Sequence, residues 1–73
     1  MDERKKKVYD AIVDEYGDDP VDLMELVSAL LDEYPDASDA RVVDYIVVML
    51  EESDGNIDIS DWVRDYGREW GRK

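Results

Sequence analysis

Cysteine and histidine are both absent from this 73-residue chain, and the two absences remove a good deal of chemistry at once. No disulfide can staple the fold, and the usual Cys/His zinc sites are out of reach. The commonest general base and the thiol nucleophile are missing too. Four serines occur, none in a nucleophile-elbow setting, and there is no glycine-rich phosphate loop. A domain of this size also has little volume for a substrate pocket, so the expectation is a protein that is not an enzyme. Long apolar runs are lacking as well. The longest, Tyr45 to Leu50, is far too short to cross a bilayer, and the charged start Met1 to Lys7 leads into no signal-like apolar stretch. A reducing, cytoplasmic location without membrane contact is the corresponding expectation.

Charge of one sign dominates what is present. The formal net charge is −12, with fourteen Asp and seven Glu against nine Lys and Arg. Such a field repels nucleic acid, favours cations or basic partners, and weakens the compact state through self-repulsion. A solvated acidic surface of the kind found in salt-adapted organisms is one reading. The preference for Asp over Glu tips toward a functional one, because Asp is a poor helix former but a good cap, turn and hard-cation residue. The one basic cluster, Arg4 to Lys7, reads as a solubilising face at the outer end of the first helix.

Apolar spacing divides the chain into four helices within a single domain over residues 1–73, near the lower limit for an unaided core, with frayed ends at about 1–4 and 70–73. Val8, Tyr9, Ile12, Val13 and Tyr16 form the stripe of a helix over 3–16, stopped by Gly17. Asp19 then serves as N-cap and Pro20 as the first turn of a second helix. That helix carries Leu23, Leu26, Val27, Leu30, Leu31 and Tyr34 on one face and ends at Pro35. Asp36 or Ser38 caps a third helix running to about Glu52, apolar around most of its circumference and therefore central. Ser53 to Asn56 is a turn, and from Asp61 the spacing of Trp62, Val63, Tyr66 and Trp70 is helical again, with Gly67 and Gly71 loosening its end. The fold class is all-α: two helix-loop-helix units, with short extended segments near Val21 and Ile57.

Those two segments belong to a phrase that occurs twice. Residues 18–27 and 54–63, starting 36 positions apart, share acid, turn residue, β-branched residue, acid, aliphatic, acid, apolar residue and Val. An acidic loop with a β-branched residue and a closing acid inside the next helix resembles the EF-hand, and the spacing resembles an EF-hand pair. On that resemblance the loops are residues 14–25 and 50–61. Asp14, Asp18, Asp22 and Glu25 would supply side-chain oxygens in the first, and Glu52, Asp54, Asp58 and Asp61 in the second. Val21 and Ile57 would pair across the loops, and Ca²⁺ would find its roughly six to eight oxygens in a sharply turned loop. Leu50 stands where the second loop would have its first Asp, Tyr16 occupies a ligand position, and Asp19 replaces the usual glycine. The resemblance thus implies an EF-hand-like module whose Ca²⁺ binding is weak or lost.

The same helix order is also similar to a winged helix-turn-helix, in which the third helix enters the major groove of DNA and a wing follows. Here the third helix offers only Arg41 as a cation, beside Asp39 and Asp44, and the wing has no second strand. Residues 22–34 are similar to the second helix of acyl carrier proteins, but the position of the modified serine holds Pro20. The leading expectation is a small acidic interaction module, monomeric or weakly dimeric, that binds a protein or peptide. The alternative is a nucleic-acid-binding or transcription-regulatory winged helix. For the module, Trp62, Tyr66 and Trp70 are the candidate partner anchors, since large aromatics dominate interface energetics. A domain this small also needs its aromatics inside, which would bury Trp62 and Tyr66 and leave only Trp70 partly exposed.

Overall fold

The apolar spacing becomes helices where the sequence places them. In the computed structural model, which describes residues 3–70, α1 spans Glu3–Tyr16, α2 Leu23–Glu33, α3 Asp39–Ser53 and α4 Ile59–Asp65. Tyr66–Trp70 follows α4 without a break as a π-helical segment. The fold is all-α, and no strand occurs among the described residues. None of the helices is long and apolar enough to cross a membrane.

Local chemistry sets the helix ends. Gly17 adopts φ 86 and sends its N–H back to the Val13 carbonyl at 2.8 Å, closing α1. Such a left-handed φ suits glycine, which has no Cβ to collide with the backbone. Ser38, one of the two caps expected for α3, accepts from the Arg41 N–H at 3.1 Å. At the far end of α3, Asp54 takes the left-handed conformation at φ 59 and Gly55 follows at φ 86. The Gly55 N–H reaches back to the Leu50 carbonyl at 3.0 Å, a six-to-one closure typical of helix C-termini. Asp58 caps α4 by accepting from the Asp61 N–H at 3.2 Å, so α4 begins two residues before the expected Asp61.

The start of α2 differs from expectation. Asp19 does not cap it; Pro20, Val21 and Asp22 form a turn closed by Leu23 N–H to Pro20 C=O at 3.2 Å, and Asp22 holds the N-cap position without a side-chain bond. Val21 therefore lies in a turn, and only the stretch near Ile57, with Asp58 in an extended conformation, is open chain. Even so, α2 and α4 begin at equivalent points of the repeated phrase, at Leu23 and Ile59. The repeat marks two helix starts.

One core serves all four helices. α1 contributes Val8 and Ile12; α2 contributes Leu23, Leu26, Val27, Leu30 and Leu31; α3 contributes Val42, Tyr45, Ile46, Val47 and Leu50. Trp62 of α4 and Tyr66 of the π segment complete it, and no charged residue is buried among those described. α1 packs on both α2 and α3, α4 packs on α2, and the π segment closes onto α3. Tyr45 belongs to this core, and Met49, partly buried, packs against it.

Arg4 and Lys5 of the basic cluster are tied into the fold rather than left as a free solubilising face. Arg4 donates from Nε to Asp39 at 2.7 Å and from its terminal nitrogens to the carbonyls of Pro35, at 2.9 Å, and Ala37. Lys5 reaches Asp32 at 2.8 Å and Ser28 at 3.0 Å, and Lys6 pairs with Asp10 at 3.0 Å. In a chain so acidic, cations find carboxylates and carbonyls of their own fold before they find a partner's. Arg4 thus belongs to an anchored helix end rather than a frayed one. The fraying expected at residues 1–2 and 71–73 lies outside the described residues, as does Gly71.

Candidate functional site

The acids of the two EF-hand-like loops are placed by helix ends rather than around a centre. Asp14 sits exposed in the last turn of α1, and Asp18 accepts from the Asp19 N–H at 2.8 Å. Asp22 occupies the N-cap position of α2 and Glu25 its first turn. Glu52 is exposed near the end of α3, Asp54 is its left-handed C-cap, and Asp58 and Asp61 hold the start of α4. Carboxylates at a helix N-terminus are stabilised by the free N–H groups and the dipole there, which gives Asp22, Glu25, Asp58 and Asp61 a structural position. Among the described residues no group of three or more acids is positioned to hold a metal ion. Val21 is 98% exposed, in a turn rather than a bridge to Ile57, and Leu50 is fully buried. One of these acids acts on a neighbour: Asp19 beside Tyr9 raises the pKa of that hydroxyl, chiefly by hydrogen bonding.

The three aromatic anchor candidates separate. Trp62 and Tyr66 are buried, at 4% and 1% exposure, and cannot meet a partner, because a core this small needs its largest side chains. Trp70 is half-buried, and its placement is specific. Its ring meets Tyr45 edge-on at 5.3 Å, the Arg41 guanidinium lies 5.5 Å from its centroid, and Arg41 also donates to its carbonyl. Tyr66 in turn meets Tyr34 at 5.1 Å and Tyr45 at 5.2 Å, so four aromatic rings form one connected cluster. Tilted and edge-on pairs at these distances are attractive beyond the area they bury.

Hydrogen bonds fix this cluster from within. Tyr34 donates to the Val63 carbonyl at 2.8 Å. The Tyr45 hydroxyl lies 2.8 Å from the Asp65 carboxylate and 3.1 Å from the Trp62 carbonyl. Burial, and then the bond to Asp65, push the Tyr45 pKa well above the ordinary tyrosine value, so the hydroxyl stays a neutral donor. It is held inside the fold by two acceptors and is not presented to a substrate.

Between the α2–α3 turn and the π segment the cluster opens into a groove of about 490 Å³. Tyr34, Pro35, Ala37 and Trp70 form its apolar surface over the buried Tyr66, and Glu33, Asp36, Ser38 and Arg41 its margin. A second hollow of about 370 Å³ lies between α1 and α3 around Ala11, Ala40 and Val43, but no aromatic ring lines it. Sequence reasoning found Trp70 and Tyr66 and missed the other walls. Pro35 read only as a helix stop and Tyr34 as the last residue of an apolar stripe; no local signal says that they face Trp70, which is 35 positions further on.

α3, which the winged-helix alternative would set in the major groove, presents Asp39, Ala40, Asp44, Val48, Glu51 and Glu52 to solvent, and its Arg41 is held by Trp70. That face has the wrong sign for a phosphate backbone. No protein-family model, curated protein sequence or solved structure matches this chain.

Proposed function

We propose that this chain is a small acidic, non-enzymatic interaction module that holds a protein or peptide partner in the groove between the α2–α3 turn and the π segment. The observation that carries the reading is the construction of the groove. Arg4 ties the 35–37 backbone from behind, Tyr34 is bonded to Val63, and Arg41 ties the Trp70 carbonyl. Walls fixed before binding leave less conformational entropy to be lost on association. Its volume lies within the roughly 300–1,000 Å³ range of ligand-binding clefts, and Trp70 is an aromatic anchor of the kind that dominates interfaces. The reading needs no metal, since the loop acids stand apart from the groove and from one another.

A photo-crosslinking amino acid placed at Asp36, in the cells that make the protein, tests it. A discrete crosslinked partner should appear from position 36 and not from the same group at Asp10, exposed in the middle of α1. Equal capture from both positions would remove the groove's privilege and the proposal with it.

A further inference from the structure

Two carboxylates at the groove margin have no ion-pair partner among the described residues. Glu33 and Asp36 are both exposed, and neither forms an ion pair or hydrogen bond among the described residues. Among the described residues the two arginines at this end of the fold have other partners: Arg4 holds Asp39 and the turn carbonyls, and Arg41 the ring and carbonyl of Trp70. An apolar surface thus lies between unpaired negative charges, in a molecule of net charge −12.

Building on the groove reading, we infer that the partner is a linear peptide segment in which one apolar or aromatic anchor is flanked by Lys or Arg. The anchor covers Pro35 and the exposed edge of Trp70, and the flanking cations meet Glu33 and Asp36. Charge complementarity selects this occupant over others. A neutral segment would desolvate the two carboxylates without replacing their water, and an acidic one would face the whole field. A polycation without an anchor would leave the aromatic surface wet and would bind diffusely over all the acids. The groove's size favours a short segment with one anchor over a broad folded surface, whose interface commonly buries about 800 Å² per partner.

The test is a display library of random 12-residue peptides selected on the full chain in 0.15 M and in 0.5 M NaCl. Synthetic copies of the enriched peptides are then mapped by backbone amide NMR. The expected winners carry Lys or Arg within two positions of Trp, Phe, Leu or Met and shift the amides of residues 33–38 and 70. Glu33→Gln with Asp36→Asn, a surface change that leaves the core alone, should slow their association roughly tenfold at 0.15 M and flatten its salt dependence. Neutral or acidic winners that map to the groove would overturn the partner assignment and leave the docking reading standing. Basic winners whose shifts spread over all the acids, with or without an anchor, would reduce the effect to the overall field and overturn it as well. Winners that consistently map elsewhere, or no winners at all, would bring down both.

Discussion

Replacing Gly67 by alanine should destabilise this protein, although the same change in an ordinary helix does the opposite. Ala is favoured over Gly in an exposed helix interior by about 1 kcal/mol. Gly67, however, packs against the ring of Tyr34. A Cβ built there would lie 2.9 Å from Tyr34 Cζ and 3.2 Å from Cε1, with the hydroxyl oxygen closer still. Separations under about 3 Å are repulsive, so either the ring or the π segment must shift. If the ring yields, the bond from its hydroxyl to the Val63 carbonyl is lost, at about 1 kcal/mol. Its tilted contact with Tyr66 at 5.1 Å goes too, at about 0.5–1.5 kcal/mol. If the π segment yields, Trp70 leaves Arg41 and Tyr45. Against the propensity gain, the net loss is about 0.5–1.5 kcal/mol, or roughly 2–12 °C in Tm for a domain of this size.

Urea unfolding followed by far-UV circular dichroism measures the sign directly. A second background separates this mechanism from a generic effect of substitution: Tyr34→Leu removes every atom that the new Cβ would meet. In that background Gly67→Ala should become neutral or stabilising, giving a coupling energy of at least about 0.5 kcal/mol between the two sites. A stabilising Gly67→Ala in the wild-type chain, or an equal cost in both backgrounds, would refute the close approach.

Other measurements reach different parts of the structure. Raising NaCl from 0.1 M to 1 M should stabilise the fold by at least about 1 kcal/mol, or roughly 4–8 °C in Tm, because the Debye length falls from about 10 Å to about 3 Å. At 0.1 M it matches the 10.9 Å radius of gyration, so acids across the whole fold still repel; a flat or falling Tm would contradict this. The neutral Tyr45 hydroxyl contributes stability that is complete below pH 10.0 and is lost as pH rises from there toward its higher folded-state value. Tyr45→Phe should therefore lose less stability than the wild type between pH 10 and 11.5, and parallel curves would argue against a hydroxyl that is buried and bonded to Asp65. Titration with Ca²⁺ and with Mg²⁺ should give small, similar amide shifts spread over the acids. Saturable shifts seen with Ca²⁺ alone and confined to 14–25 or 50–61, and abolished by Glu25→Ala, would establish the loop site instead.

Much of the fold is legible in the sequence because helices are local objects. The stripe from Val8 to Tyr16, the face from Leu23 to Leu31 and the apolar girth of α3 each follow from spacing within one element, and Gly17 and Ser38 act where a stop and a cap are needed. Errors arose where two local preferences compete. Asp19-Pro20 is a good helix start, yet the chain turns once more and begins α2 at Leu23, a position that puts Leu23 itself into the core. The closing π segment is harder still: Gly67 read as a weak point in a helix, but its small size is what admits the Tyr34 ring. Long-range pairings such as Arg4 with the α2–α3 turn, or Trp70 with Arg41, have no local signature. Acid-rich phrases mislead for a related reason. A carboxylate next to a helix start satisfies the pattern of a metal loop and the pattern of a cap equally well, and spacing alone does not separate them.

The same scarcity of cations connects stability with the groove. Against its twenty-one acids the chain has only nine Lys and Arg, so where they are placed matters more than usual. Arg4 and Arg41 both anchor walls of one groove, Arg4 through the 35–37 backbone and Arg41 through Trp70. Their commitment to backbone carbonyls fixes the walls, while Glu33 and Asp36 on the margin have no ion-pair partner among the described residues. Fixed walls and an unpaired rim thus meet at one groove. Salt acts on them with opposite sign: it relieves the self-repulsion that opposes folding, and it screens the attraction between the rim and a basic segment. The apolar contact with Trp70 is not screened. Affinity that survives added salt can thus be assigned to that ring, and the part that salt removes to the two free carboxylates.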